Sequence, residues 1–281
     1  MRLVDAARSR SVLLDHVVAA VLHYRARQGS TLAAAVTYYA FLSLFPVLAL
    51  SFAAVGMISA YAPGARTALE QGLQAVLPGM IGDAPGQLSL AALEASAALV
   101  AGIGGLAVLY SGLSWISSMR SALQSMFDTP AADRPGFVAG YLRDLVALCV
   151  IGLVLVLSVV VTTFVTGFSE RIAAYLGLQS GSAWLLTGLS VALALAANTV
   201  LFVAMFRLLA EPPVTRAAVR SGAVLGGAGF ELLKQASTWL LASTTRQPAF
   251  QAFGIALILL VWIYYFSRIV MFAAAWSRTS R

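Results

Sequence analysis

Charge is what this sequence has least of. Only 10% of its 281 residues are Asp, Glu, Lys or Arg, against about 25% in an ordinary soluble domain. Histidine occurs twice and cysteine once. The lone Cys149 cannot close an intrachain disulfide, and there is no CxxC pair. His16 and His23 stand seven apart with no acidic or cysteine ligand at zinc-like spacing, so no metal site is expected. P-loop, GxSxG and HExxH motifs are absent, and the carboxylates do not cluster. The residues therefore suggest no cofactor and no enzyme chemistry, because an active site needs convergent polar groups. The first 28 residues hold five arginines but no compact apolar core, and they do not read as a cleaved secretory signal.

What is present is apolar. Hydrophobic residues make up 60% of the chain, and the mean hydropathy is +0.88. A water-soluble fold of this length lacks the interior to hide so much oil, because much of its surface must face water. Lipid is the solvent this composition suits. Eighteen basic against eleven acidic residues leave a net +7. The basic residues are scattered between apolar runs, which fits membrane orientation and anionic lipid rather than nucleic acid.

A spanning helix needs about 20 mostly apolar residues. The pattern predicts an all-α polytopic integral membrane protein: six transmembrane helices with an N-terminal amphipathic helix. The spans are expected at about 32–61, 95–119, 145–168, 184–206, 219–243 and 249–276, making a membrane domain over 31–276. Residues 1–30 form a cytoplasmic amphipathic segment and 277–281 a cytoplasmic tail. On the N-terminal helix Leu14, Val17, Val18, Val21 and Leu22 follow helical spacing. That suits a helix on the cytoplasmic leaflet, and equally one packed beneath the bundle. The outer loop, about 62–94, carries a short periodic stretch ending at Pro78-Gly79.

The 219–243 segment is the difficult one. Its eight large apolar residues contribute about −2.4 to −4.8 kcal/mol, at about −0.3 to −0.6 each. Glu231 and Lys234 together cost about 5–7 kcal/mol near a span centre. Alone it inserts poorly; it spans if the two charges face protein. They lie three apart, on one helical face, within reach of each other. Arginines decide the count. Six spans place Arg2, Arg8, Arg10, Arg25, Arg27, Arg120, Arg134, Arg143, Arg207, Arg216, Arg220, Arg278 and Arg281 on one side, and Arg66, Arg171 and Arg246 on the other. Such a bias puts both termini in the cytoplasm. Trp115, Trp184, Trp239 and Trp276 fall near expected span ends, where indole rings favour the headgroup level.

Glu231, Lys234 and Arg268 are the leading site candidates. At 1.5 Å per residue, Arg268 and Glu231 lie about 12 Å and about 18 Å from the cytoplasmic ends of their helices. Side-chain reach would bring them together, either as a polar cavity for a charged headgroup or as an internal ion-pair network. Asn198 suits an interhelical hydrogen bond. Pro46 lacks an N–H and clashes with the Leu42 carbonyl, so a kink is expected there, serving as a gate or as static packing, with Ser43 meeting part of the freed backbone. Gly102 and Gly105, and the GxxxG pair Gly222 and Gly226, read as helix-packing faces.

These residues carry a resemblance. The stretch Ala35-Val36-Thr37-Tyr38-Tyr39-Ala40-Phe41-Leu42-Ser43-Leu44-Phe45-Pro46 resembles the signature of the YihY/BrkB family of bacterial inner-membrane proteins. Phe230-Glu231-Leu232-Leu233-Lys234 resembles that family's W-E-x-x-K element, and Phe253-Gly254-Ile255-Ala256 with Leu259-Leu260-Val261-Trp262-Ile263-Tyr264 resembles its sixth-span pattern. Phe206-Arg207-Leu208-Leu209 and Pro212-Pro213-Val214 resemble the stretch after its fourth span. Ala274-Ala275-Trp276 stands where members often carry Gly-Ala-Glu, and Gln124 where an Asn is usual. The resemblance implies six helices in the bacterial inner membrane. It also implies a role among envelope integrity, serum resistance and lipid transport, and it brings a ribonuclease label. Two histidines on one helix and few carboxylates do not suit the metal-dependent centre that label implies.

The reading that follows is a transport-type protein that helps move a lipid or other amphiphile. The alternative is a non-transporting scaffold that binds envelope proteins through GxxxG faces and the 62–94 loop. Membrane lipids are the expected partners, with envelope proteins or a second copy of the chain as further ones.

Overall fold

The computed structural model describes residues 12–58, 110–130, 139–147, 149–150, 183–244 and 254–280, with 67, 71, 74 and 136 as isolated positions. All regular structure among the described residues is helical. In chain order the helices are α1 (Val12–Ala26), α2 (Gly29–Ile58), α3 (110–126), α4 (139–147), α5 (Ala183–Met205), α6 (Arg216–Thr244) and α7 (Gly254–Thr279). The expected 145–168 span beyond residue 150, the outer loop apart from its isolated positions, Gly102 and Gly105 lie outside the described residues.

Val191–Ala210 and Ala256–Thr279 are each long and apolar enough to cross a bilayer. The α5 helix ends in a wider π-helical turn, Phe206–Ala210, closed by Glu211 in the left-handed region at φ 44°. A π turn leaves carbonyls poorly matched along the helix. Here Leu208 O accepts from Arg143 Nε at 3.0 Å.

α7 is the axis of the assembly, with α6, α2 and α1 packed against it and α5 on the far side of α6. Pairings run antiparallel. Gly222 of α6 meets Ala273 and Ser277 of α7, while Gly229 meets Ile269. Toward the other helix, Gly226 meets Phe202 and Gly227 meets Thr199. Aromatic rings fill the seam: Phe127–Phe206 at 5.4 Å, Phe202–Phe266 at 6.2 Å, Phe230–Phe266 at 5.1 Å, and Trp262 stacked on Phe266 at 6.0 Å. Edge-to-face rings suit this role because the positive edge of one meets the negative face of another.

Two boundaries differ from expectation. α3 runs to residue 126 rather than ending near 119, and α4 is already helical at 139. Arg120 and Asp144 lie at those two boundaries. Those two neutralise each other: Arg120 Nε donates to Asp144 Oδ1 at 2.7 Å and Nη2 to Oδ2 at 3.1 Å. With its charge met by a partner across the helix pair, Arg120 does not end the helix.

The α2 helix continues through Pro46 to Ile58. Ser43 Oγ donates to the carbonyls of Tyr39 at 2.8 Å and Ala40 at 3.1 Å, not to Leu42, the carbonyl that the proline leaves without a partner.

α1 turns its faces in a way the sequence left open. Ala20 and Tyr24 are buried against the bundle, whereas Val12, Leu13, Leu14, Val17, Val21 and Leu22 point away from protein. Both histidines serve the inner face. His16 stacks on Trp276 at 3.9 Å and donates from Nε2 to the Trp276 carbonyl at 3.0 Å. His23 Nε2 donates to the Met126 carbonyl at 2.8 Å. Asp128, in the left-handed region after α3, pairs with Arg27 and, at 3.2 Å, with Arg278. Arg143 pairs with Glu211 at 2.6 Å. The N-terminal helix, the α3–α4 region, the π turn after α5 and the end of α7 thus meet at one end of the molecule.

Candidate functional site

The polar cluster within the helices begins with a missing side chain. At Gly227 an added Cβ would lie 3.0 Å from Thr199 N and 3.3 Å from Asn198 C, so α6 passes almost in backbone contact with α5. Small residues permit such approach between membrane helices. One turn along α6, the close approach lets Asn198 reach Glu231: Nδ2 donates to Oε2 at 3.0 Å. Lys234 Nζ reaches the same oxygen at 2.7 Å. An amide and an ammonium thus converge on one carboxylate oxygen. Lys234 also stands 5.3 Å from the centre of the Phe230 ring, whose π face attracts a cation.

The cluster is largely enclosed. Asn198 is buried, and the Glu231 and Lys234 side chains keep 19% and 16% of their exposure. A carboxylate so placed is tolerated because both donors satisfy it; a lone charge there would neutralise or destabilise the helix. Among the described residues no group of three or more His, Cys, Asp or Glu could hold a metal. What the arrangement offers is an ion pair on one helix face whose carboxylate also accepts from an amide on the neighbouring helix.

Arg268 is not part of this cluster. Its guanidinium lies over the Tyr264 and Tyr265 rings at 5.7 and 5.8 Å, near the Tyr24 hydroxyl. On α7 the residues facing α6 include Trp262 and Phe266, with Ile269, Ala273 and Ser277 further along. Arg268 is two positions beyond Phe266, about 200° around the helix, so it faces away from Glu231. The expectation that side-chain reach joins them is corrected by this phase.

Gly222 and Gly226 both lie in contacts within the chain. A Cβ at Gly222 would overlap Ser277 Oγ and sit 2.5 Å from the Ala273 carbonyl oxygen; one at Gly226 would overlap the Phe202 ring. The two glycines serve different neighbours, and neither presents a free face for another protein. Gly222→Val should cost about 1–3 kcal/mol or more, since α6 must leave α7 to make room. Thermal unfolding and size-exclusion homogeneity in detergent check this, with an unchanged midpoint as the contrary result.

Tyr24 is a residue that sequence reasoning passed over. It packs on Gly29, where any Cβ would overlap its ring, and shares a 3.2 Å hydrogen bond with Ser30. Its i+4 spacing from Ala20 and the Gly29-Ser30 break after α1 were the available signals.

Two of the described helices are long and apolar enough to cross a bilayer, as an integral membrane protein requires. The chain belongs to the family described as Virulence factor BrkB, which it matches over residues 20–281. It is 31% identical to "Inner membrane protein YhjD" of Escherichia coli (strain K12), covering 96% of this chain and 82% of that protein. It is 29% identical to an uncharacterized protein of Dickeya dadantii (strain 3937), covering 97% of this chain and 85% of that one. No solved structure matches it.

Proposed function

We propose that this BrkB-family membrane protein sits in the bacterial inner membrane with six spans and both termini cytoplasmic, and helps a lipid or other amphiphile move within or out of that membrane. The carrying observation is the enclosed Asn198–Glu231–Lys234 cluster, an ion pair held where α5 and α6 meet. An ion pair there is costly unless used or compensated, which is why intramembrane charges are read first as functional. The topology draws support from the antiparallel α5–α6–α7 pairings and from the arginine-rich segments meeting at one end. The outward apolar face of α1 suits burial in the cytoplasmic leaflet.

A transport-type role is favoured over an envelope-protein scaffold because the GxxxG glycines are filled by Ser277, Ala273 and Phe202. The test uses vesicles holding the full chain and a fluorescent phospholipid, with transbilayer movement read by quenching of the outer leaflet. Wild type should accelerate movement, and Glu231→Gln should lose most of that gain while still inserting. If Glu231→Gln and Lys234→Gln both match wild type, the cluster plays no part in transport. Crosslinking from Gln74 that traps an envelope protein, without lipid movement, would favour the scaffold.

A further inference from the structure

We propose that Arg268 and the outer face of α7 form a binding site for one anionic phospholipid, separate from the Glu231 cluster. Leu257, Leu260, Val261 and Tyr265 are exposed at spacings of three and four residues, which places them in a single strip along α7. The strip runs about 16 Å, 1.5 Å per residue, and ends at Arg268. An apolar track of that length matches much of an acyl chain, and the guanidinium stands at its end.

The guanidinium is short of a counter-charge. Among the described residues its neighbours are the Tyr24 hydroxyl and the Tyr264 and Tyr265 rings, and the ion pairs among those residues lie elsewhere. The planar guanidinium fork is available to a phosphate, which it can grip with two parallel bonds. The aromatic faces hold the cation without neutralising it. An anionic phospholipid fits better than a zwitterionic one, because no carboxylate among the described residues lies beside Arg268 to receive a headgroup ammonium.

Native mass spectrometry of the full-length protein in detergent tests the site, with phosphatidylglycerol as probe and phosphatidylcholine as comparison. Wild type should retain phosphatidylglycerol over phosphatidylcholine, and Arg268→Gln should lower that retention about tenfold, the size of a lost charge-assisted contact. Arg268→Lys should fall between them. Arg25→Gln, an exposed charge outside the site, should leave retention unchanged. Equal losses in Arg25→Gln and Arg268→Gln would reduce the effect to general surface charge and overturn the site. Retention by Arg268→Gln equal to wild type would do the same, and so would displacement of the lipid by inorganic phosphate. A second measurement needs no variant. Phosphatidylglycerol with a photoreactive acyl chain should label wild-type peptides within 257–268, and labelling elsewhere would overturn the proposal. Glu231→Gln should retain lipid normally, so failure here and failure of the transport reading are told apart.

Discussion

Replacing Lys234 alone with Met is expected to damage the protein more than replacing Lys234 and Glu231 together. The single change leaves an enclosed carboxylate with only the Asn198 amide, which donates to Oε2 at 3.0 Å. Breaking one partner of a buried ion pair costs about 3–5 kcal/mol, whereas removing both charges is close to neutral. In Glu231→Gln/Lys234→Met the glutamine oxygen still accepts from Asn198, so the unfolding midpoint should return toward wild type. Thermal unfolding in detergent gives the comparison. Equal damage from the single and double variants would mean that the charge pair is not what α6 is built around. The double variant then separates structure from use: a stable protein that no longer moves lipid assigns the pair to transport, and a stable, active one assigns it to packing.

Asp144→Ala should be comparably severe. The Asp144 side chain is fully buried and holds Arg120, itself 12% exposed, by two hydrogen bonds. Arg120 lies over the bare face of Gly140, where a Cβ would sit 3.1 Å from Nη2. No space opens for it to turn toward solvent on that side. Removing the carboxylate strands a guanidinium between α3 and α4 at a cost of about 3–5 kcal/mol. Loss of the folded species in size-exclusion chromatography and a lowered unfolding midpoint are the expected readings. Arg120→Met/Asp144→Leu should recover much of the loss. An Asp144→Ala protein as stable as wild type would show that water reaches Arg120 after all.

The helices themselves were legible where apolar runs are long: α5 and α7 follow the expected spans to within a few residues. Ends were less so. α6 starts at Arg216 rather than 219 because Thr215 Oγ1 accepts from Ala218 N at 3.2 Å, a cap that sets the first turn. α3 outruns its expected end because the partner of Arg120 is 24 residues away, and no local pattern shows that. The Glu231–Lys234 pairing was readable from a spacing of three. The place of Asn198 beside it was not, since it depends on how closely α5 and α6 approach at Gly227. Depth along a helix suggested that Arg268 meets Glu231, but depth ignores rotation, and two residues of helical phase separate them. The GxxxG pair reads as one face, yet four residues advance the helix by about 40° beyond a full turn, enough to place Gly222 and Gly226 against different neighbours.

The bond from His16 to the Trp276 carbonyl ties together parts of the chain made at opposite ends of synthesis. Translation at about 5–20 residues per second delivers Trp276 roughly 13–50 s after His16. Through that interval only the C-terminal end of α1 is held, where His23 and Arg27 meet Met126 and Asp128, while its N-terminal half waits for its dock. The last turn of α7 therefore acts as a closing latch: a chain cut just before Trp276 would leave the His16 half of its first helix unmoored.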